Sequence, residues 1–279
     1  MIIVKSKLIL TTCLSETALG GKNIGFVPTM GALHAGHISL INKSIAENNL
    51  TVCSIFVNPA QFNNAADLEK YPVTIEKDID MLENAGCNIL FLPSAGEMYP
   101  VNETPVHYKL GYLENILEGE YRPGHFQGVC RIVDKLLAAV KPNVMYLGKK
   151  DYQQCLVIRK MMTEKKHKAT LRICDTVRET DGLAMSSRNM RLAGGERLQA
   201  VKIIETLRMM KAALKPGDLS QIKKEATFFL ENNGYKVDYT EIADADTLEL
   251  QESWDGSKKT VALAAAYLNE VRLIDNIIL

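Results

Sequence analysis

The sequence predicts an α/β fold: a doubly wound parallel sheet followed by a second, smaller α+β domain. Three observations predict it. Short apolar runs alternate with segments of helical period through the first part of the 279 residues. The stretches joining those runs are long enough for the right-handed crossovers that parallel strands need. After Thr176 the order becomes helices first and strands later, the mark of an α+β unit. Length suits one large or two ordinary domains, and we read residues 1–176 as the sheet domain and 177–279 as the smaller one.

Taken in order, residues 1–10 are apolar but interrupted by Lys5 and Lys7, which leaves no secretory h-region. Residues 23–27 form a strand closed by Pro28, and Ile38, Ile41 and Ile45 then stand at i, i+3, i+7 on a helical face. A second strand, 50–57, ends at Asn58-Pro59. Ile75, Ile79 and Leu82 mark a helix over 74–84 that Gly86 closes, and 88–92 is the next strand. A Pro- and Gly-rich stretch, 93–128, precedes a helix carrying Ile132, Val133, Leu136, Leu137 and Val140, stopped by Pro142. Strands at 144–147 and 171–174 flank a helix over about 152–164. The C-terminal part predicts helices at about 196–214 and 219–232, then strands at 235–242, 260–267 and 271–277.

Composition excludes several classes. Lys plus Arg number 33 and Asp plus Glu 33, so the formal charge is zero and no basic excess speaks for a nucleic-acid partner. The apolar stretches 52–57 and 261–268 fall short of a membrane span. Six cysteines without a C-x-x-C pair read as buried hydrophobes of a reducing compartment, and we expect a cytoplasmic protein.

Chemistry concentrates in the turns, because ligands of such sheets lie beyond the carboxyl ends of the strands. After the first strand comes Met30, Gly31, Ala32, Leu33, His34, Ala35, Gly36, His37 at a helix start. Two histidines three apart lie on neighbouring positions of one face, where unpaired N–H groups and the helix dipole favour an anion such as phosphate. Gly31 permits the bend and Gly36 leaves room for a nucleotide. The competing readings are a capping histidine and half of a metal site, and no nearby acid, cysteine or third histidine completes the latter. Gln61, in the turn after the second strand, offers a neutral amide to a small polar substrate; otherwise Asn58-Pro59 is only a turn. Gly148, Lys149, Lys150, Asp151, Tyr152, Gln153 and Gln154 open another helix, with a lysine able to reach phosphates and an aspartate able to bind a ribose or merely to cap. Ser186, Ser187 and Arg188 make a mobile phosphate clamp or a polar linker.

In this order, PTMGALHAGH (28–37), FVNPAQF (56–62), RPGHFQGV (122–129), GKKDYQQ (148–154) and GLAMSSRN (182–189) resemble the pantoate–β-alanine ligases of the HIGH-type nucleotidyltransferase superfamily. The resemblance spans the chain and implies a Rossmann-like catalytic domain and ATP-dependent condensation of (R)-pantoate with β-alanine through a pantoyl adenylate, releasing pyrophosphate and AMP. It implies that Met30 to His37, Gly148 to Asp151, Val177, and Met185, Ser186, Ser187 and Arg188 bind ATP. Among these, His37, His34, Lys150 and Arg188 take the catalytic roles, Lys150 lies on phosphate and Asp151 on ribose. Gln61 meets pantoate and β-alanine, and Gln154 meets pantoate. Mg2+ rides on the ATP phosphates, and a homodimer is expected. The chain departs from the family's usual blocks at Leu147, Lys149 and Val73, where Phe, Glu and Arg are usual. His125 reads as a structural histidine of a glycine-rich loop. The alternatives are another adenylyltransferase with a phosphorylated acceptor, which would want more Arg or Lys than Gln61 and Gln154 provide, and a non-catalytic nucleotide-binding protein.

Overall fold

Strands apolar at nearly every position call for a sheet covered on both faces, and the computed structural model, which describes residues 1–101, 104 and 106–279, has one. The chain divides into two compact units, Met1–Lys149 with Val157–Asp175, and Lys150–Leu156 with Thr176–Leu279.

The first unit runs β1 (Ile2–Val4), α1 (Lys7–Leu19), β2 (Ile24–Thr29), α2 (Ala35–Glu47), β3 (Leu50–Ile55), α3 (Ala65–Glu69), α4 (Ile75–Asn84), β4 (Ile89–Phe91), α5 (Ala95–Met98), α6 (Glu118–Tyr121), α7 (His125–Val140), β5 (Val144–Gly148), the helix α8 (Tyr152–Glu164) from Val157 onward, and β6 (Thr170–Cys174). Among the described residues these strands form a six-stranded parallel sheet of order β1-β4-β3-β2-β5-β6. Successive strand residues face opposite ways. Val27, Cys53, Leu90 and Tyr146 join Leu40, Ile41 and Leu82 of α2 and α4 in one cluster, and their neighbours Phe26, Val52, Ile89 and Met145 are also buried. The order reverses at β2, with β3 on one side and β5 on the other. The carboxyl ends of β2 and β5 therefore flank the crevice where such sheets take ligands.

Several elements differ from expectation. β1 and α1 carry too weak a pattern to be read: β1 is a three-residue edge strand with Ile2 and Ile3 exposed, and α1 exposes Leu8 and Ile9. β2 continues through Pro28, because its pairing with β5 covers only Gly25 and Phe26 and asks nothing of the missing proline N–H. On α2 the buried stripe is Leu40, Ile41 and Ser44, with Ile45 exposed. The stretch 93–128 contains α5, α6 and the start of α7, which follows left-handed Gly124; its positions 102, 103 and 105 lie outside the described residues.

The second unit runs α9 (Gly194–Gln199), α10 (Lys202–Ala213), β7 (Gly217–Asp218), α11 (Ser220–Asn232), β8 (Tyr235–Asp244), β9 (Ser253–Trp254), β10 (Thr260–Leu268) and β11 (Val271–Ile278). The helix expected over 196–214 is two helices, with Ala200 buried at the break. β8, β10 and β11 form an antiparallel sheet of order β11-β10-β8. Ala262, Ala264 and Ala266 of β10 are small enough for Ile203, Leu207 and Met210 of α10 and Ala226 of α11 to pack into one core with them.

Candidate active site

The turn between β2 and α2 bends through two left-handed residues, Gly31 (φ 83°) and Ala32 (φ 47°). Only glycine takes that conformation without penalty, so Ala32 must be held there. Asp78 of α4, fully buried, holds it: its Oδ2 accepts the N–H of Ala32 at 2.9 Å, and its Oδ1 accepts that of Leu33 at 2.8 Å. His34 then takes the N-cap position of α2. Its Nδ1 accepts the N–H of Gly36 at 3.1 Å, and His37 Nδ1 accepts the N–H of His34 at 3.3 Å. The two rings lie 4.0 Å apart. A ring nitrogen that accepts carries no proton, so in the neutral rings both protons sit on Nε2. Each neutral histidine thus accepts a backbone N–H on one edge and carries its proton on the other, and the capping reading holds for His34.

Gln61 belongs to the same constellation. Its Nε2 donates to Met30 Sδ at 2.9 Å and its Oε1 accepts from Asn58 Nδ2 at 3.1 Å. Asn58 is fully buried and saturated, donating also to Gly128 O and accepting from the Tyr99 hydroxyl at 2.7 Å and the Ala60 N–H at 3.3 Å. His125 Nε2 faces the Arg122 guanidinium at 3.1 Å, which can only donate, so Nδ1 carries the proton and donates to Gln61 O at 2.8 Å. With both nitrogens engaged and 5% of its surface exposed, His125 serves structure, and what it positions is Gln61. Gly128 is where α7 meets the 59–61 turn: a Cβ there would stand 2.0 Å from Ala60 O.

Gly148 ends β5, and the Lys149 side chain pairs with Asp175, whose carboxyl is drawn below its ordinary range by that hydrogen bond and then by the lysine charge.

The remaining predicted residues belong to the second unit. Lys150 Nζ stands 3.9 Å from Asp151 Oδ1, and Lys150 O accepts from Asn276 Nδ2 of β11 at 2.8 Å. Asp151 O accepts the N–H of Cys155 and so begins α8, on whose first turn Gln154 is half-buried. Val177 and Met185 are the ends of a β-hairpin: Val177 O accepts the Met185 N–H at 3.0 Å and Arg178 bridges Ala184. Ser186 caps the following 3-10 turn, Ser187–Arg191, by accepting the Arg188 N–H at 3.3 Å, and Ser187 is buried. Arg178 forks onto Asp275 at 2.6 and 3.0 Å and onto Asn276 O at 3.2 Å. One strand, β11, therefore anchors both the hairpin and Lys150.

Asp78, Tyr99, Asp275 and Asn276 were not singled out from sequence. Asp78 had a readable signal, an acid on the apolar face Ile75, Ile79, Leu82; the others act over separations that leave no local pattern. Among the described residues no group of three or more His, Cys, Asp and Glu gathers as a metal site, and no helix is long and apolar enough to cross a membrane.

The family model described as pantoate-beta-alanine ligase matches residues 2–278. The pantothenate synthetase of Bacteroides thetaiotaomicron is 45% identical over 92% of this chain and 91% of that one, and that of Cytophaga hutchinsonii is 42% identical over 95% of each. Among solved structures, pantothenate synthetase from Thermus thermophilus superposes with a TM-score of 0.91 at 36% identity, covering 99% of both chains. The pantoate-beta-alanine ligase of Francisella tularensis, crystallised with beta-gamma ATP and beta-alanine, does so with a TM-score of 0.81 at 37% identity, covering 100% of this chain and 97% of that one. With a family model spanning residues 2–278 and relatives more than 40% identical over more than nine-tenths of its length, the chain belongs to the pantoate-beta-alanine ligase family.

Proposed function

We propose that the enzyme joins (R)-pantoate to β-alanine at the expense of ATP. A carboxylate oxygen of pantoate attacks the α-phosphorus, expelling pyrophosphate and leaving pantoyl adenylate. The β-alanine amine then attacks the activated carbonyl, loses a proton and expels AMP. A carboxylate is already a nucleophile, so the first step needs no base; it needs donors where charge develops. The observation that carries this reading is the His34 and His37 pair at the start of α2, whose Nδ1 atoms both accept backbone N–H groups, so that in the neutral rings each proton is on Nε2.

In this reading residues 30–37 hold the triphosphate and His37 stabilises it as it breaks, with His34 beside it. Gln61 and Gln154 orient the pantoate carboxylate by amide hydrogen bonds, which leave its charge and nucleophilicity intact where an arginine would neutralise them, and Gln61 also meets β-alanine. Lys150 takes a phosphate and Asp151 the ribose; Gly148, Lys149 and Val177 flank the nucleoside; Met185, Ser186, Ser187 and Arg188 clamp the phosphates. Magnesium enters as MgATP, since that ion prefers phosphate oxygens and retained waters to a protein cage. Residues 1–176 and 177–279 act as the two domains. The enzyme works as a homodimer in the cytoplasm, and sedimentation at micromolar concentration checks the dimer.

The test is AMP release by purified protein with ATP, magnesium, pantoate and β-alanine. We expect AMP and pantothenate in equal amounts, and no AMP without pantoate; AMP formed without pantoate overturns the reading. His37→Ala should lower kcat by about 10²-fold or more, as loss of one preorganised donor does.

A further inference from the structure

Behind the histidine turn sits an acid that belongs to none of the five sequence blocks. Asp78 is 0% exposed, and three donors converge on it: the amides of Ala32 and Leu33 and the Thr74 hydroxyl at 3.0 Å. Thr74 occupies the N-cap position of α4 yet makes no side-chain cap bond; its hydroxyl turns to Asp78 instead. Consecutive amides in a turn with left-handed residues form a concavity for an anion, and here the anion is the protein's own. The fit is close from the other side as well, since a Cβ on Gly31 would meet Asp78 Oδ2 and Ile55 Cγ2, each at 3.0 Å. Remove the carboxylate and two buried amides lose their acceptor, while Ala32 loses what holds it left-handed. The next residues are His34, the cap of α2, and Ala35, its first residue.

We propose that Asp78 is a positioning residue of the nucleotide site: by gripping the Ala32 and Leu33 amides it sets the direction in which α2 presents His34 and His37. The inference rests on the reading that residues 30–37 bind ATP.

Asp78→Asn tests it, because the variant keeps the shape and turns an acceptor oxygen into an NH2 that faces an amide donor. We expect the KM and calorimetric Kd for ATP to rise by about tenfold or more, with the KM for β-alanine within about threefold, a split that simple loss of folded protein does not produce. Adding Ala32→Gly to Asp78→Asn should recover part of the ATP affinity, since glycine takes the left-handed turn unaided. Thr74→Val, which spares both amide bonds, should raise the ATP KM by about two- to fivefold. A folded Asp78→Asn protein that binds ATP as the parent does overturns the proposal; if that variant does not fold, an unchanged ATP KM in Thr74→Val overturns it. Should His34→Ala and His37→Ala also leave ATP affinity untouched, the ATP reading of the turn itself fails, whereas histidine variants that weaken ATP beside an unaffected Asp78→Asn sink only this inference.

Discussion

A buried arginine–carboxylate fork shows at the residue scale how the second unit is held. Asp275 is fully buried and also accepts the N–H of Asn276 at 2.8 Å, while the Arg178 side chain retains 24% exposure. Removing one partner of a buried pair leaves the other charge uncompensated, which costs about 3–5 kcal/mol when both are sealed off. Asp275→Ala should therefore destabilise by about 3 kcal/mol, the low end because Arg178 keeps some water and the carbonyls of Gly182 and Asn276. A urea midpoint shift with an unchanged m-value reads it. Local sequence disclosed His34 and His37 as a pair and Gln61 as a lone amide. It did not disclose that His125 and Asn58 fix Gln61, because those bonds reach across 64 residues in one case and depend on the Tyr99 and Gly128 contacts of Asn58 in the other.

At the scale of elements, α7 lies against the 59–61 turn so closely that position 128 admits no side chain. A methyl there would stand 2.0 Å from Ala60 O and 2.8 Å from the Gln61 Cα, so Gly128→Ala must push the turn away. We expect a destabilisation of about 1–3 kcal/mol by thermal melting, the usual range for overpacking. The KM for pantoate should rise with it, because the displaced turn carries Gln61. The amphipathic helices α4 and α7 were legible because burial repeats along them at the helical period, and the strands β2 to β5 because each is a short, nearly continuous apolar run. β1 and α1 were not, since a three-residue edge strand repeats nothing. The split of α9 from α10 was also hidden, as neither glycine nor proline marks the buried break at Ala200.

For the whole molecule, the cysteines report how completely the cores close. Cys53, Cys87, Cys130 and Cys155 are buried, while Cys13 and Cys174 are half-exposed. Burial pushes the Cys53 and Cys130 thiols up, and that of Cys87 from 9.0 to about 11. Native protein should thus react with a thiol reagent at Cys13 and Cys174 alone among the six, and at all of them in denaturant. The sign of the pH dependence follows: the unfolded chain loses the Cys87 proton near 9.0 and the native chain only near 11, so stability falls as pH rises through that window. The alternation of strands and helices, the switch to an α+β pattern and the motifs at the strand ends were all determined by the sequence by itself, because each is written within a few residues in a period or a turn. Tertiary structure alone decided that β2 and β5 lie side by side, that Asp78 grips a turn 46 residues earlier, and that Asn276 holds the carbonyl of Lys150 across 126 residues. Such contacts depend on where the chain returns after each crossover, and a single hydrogen bond at the end of that path imposes no periodicity on the residues between.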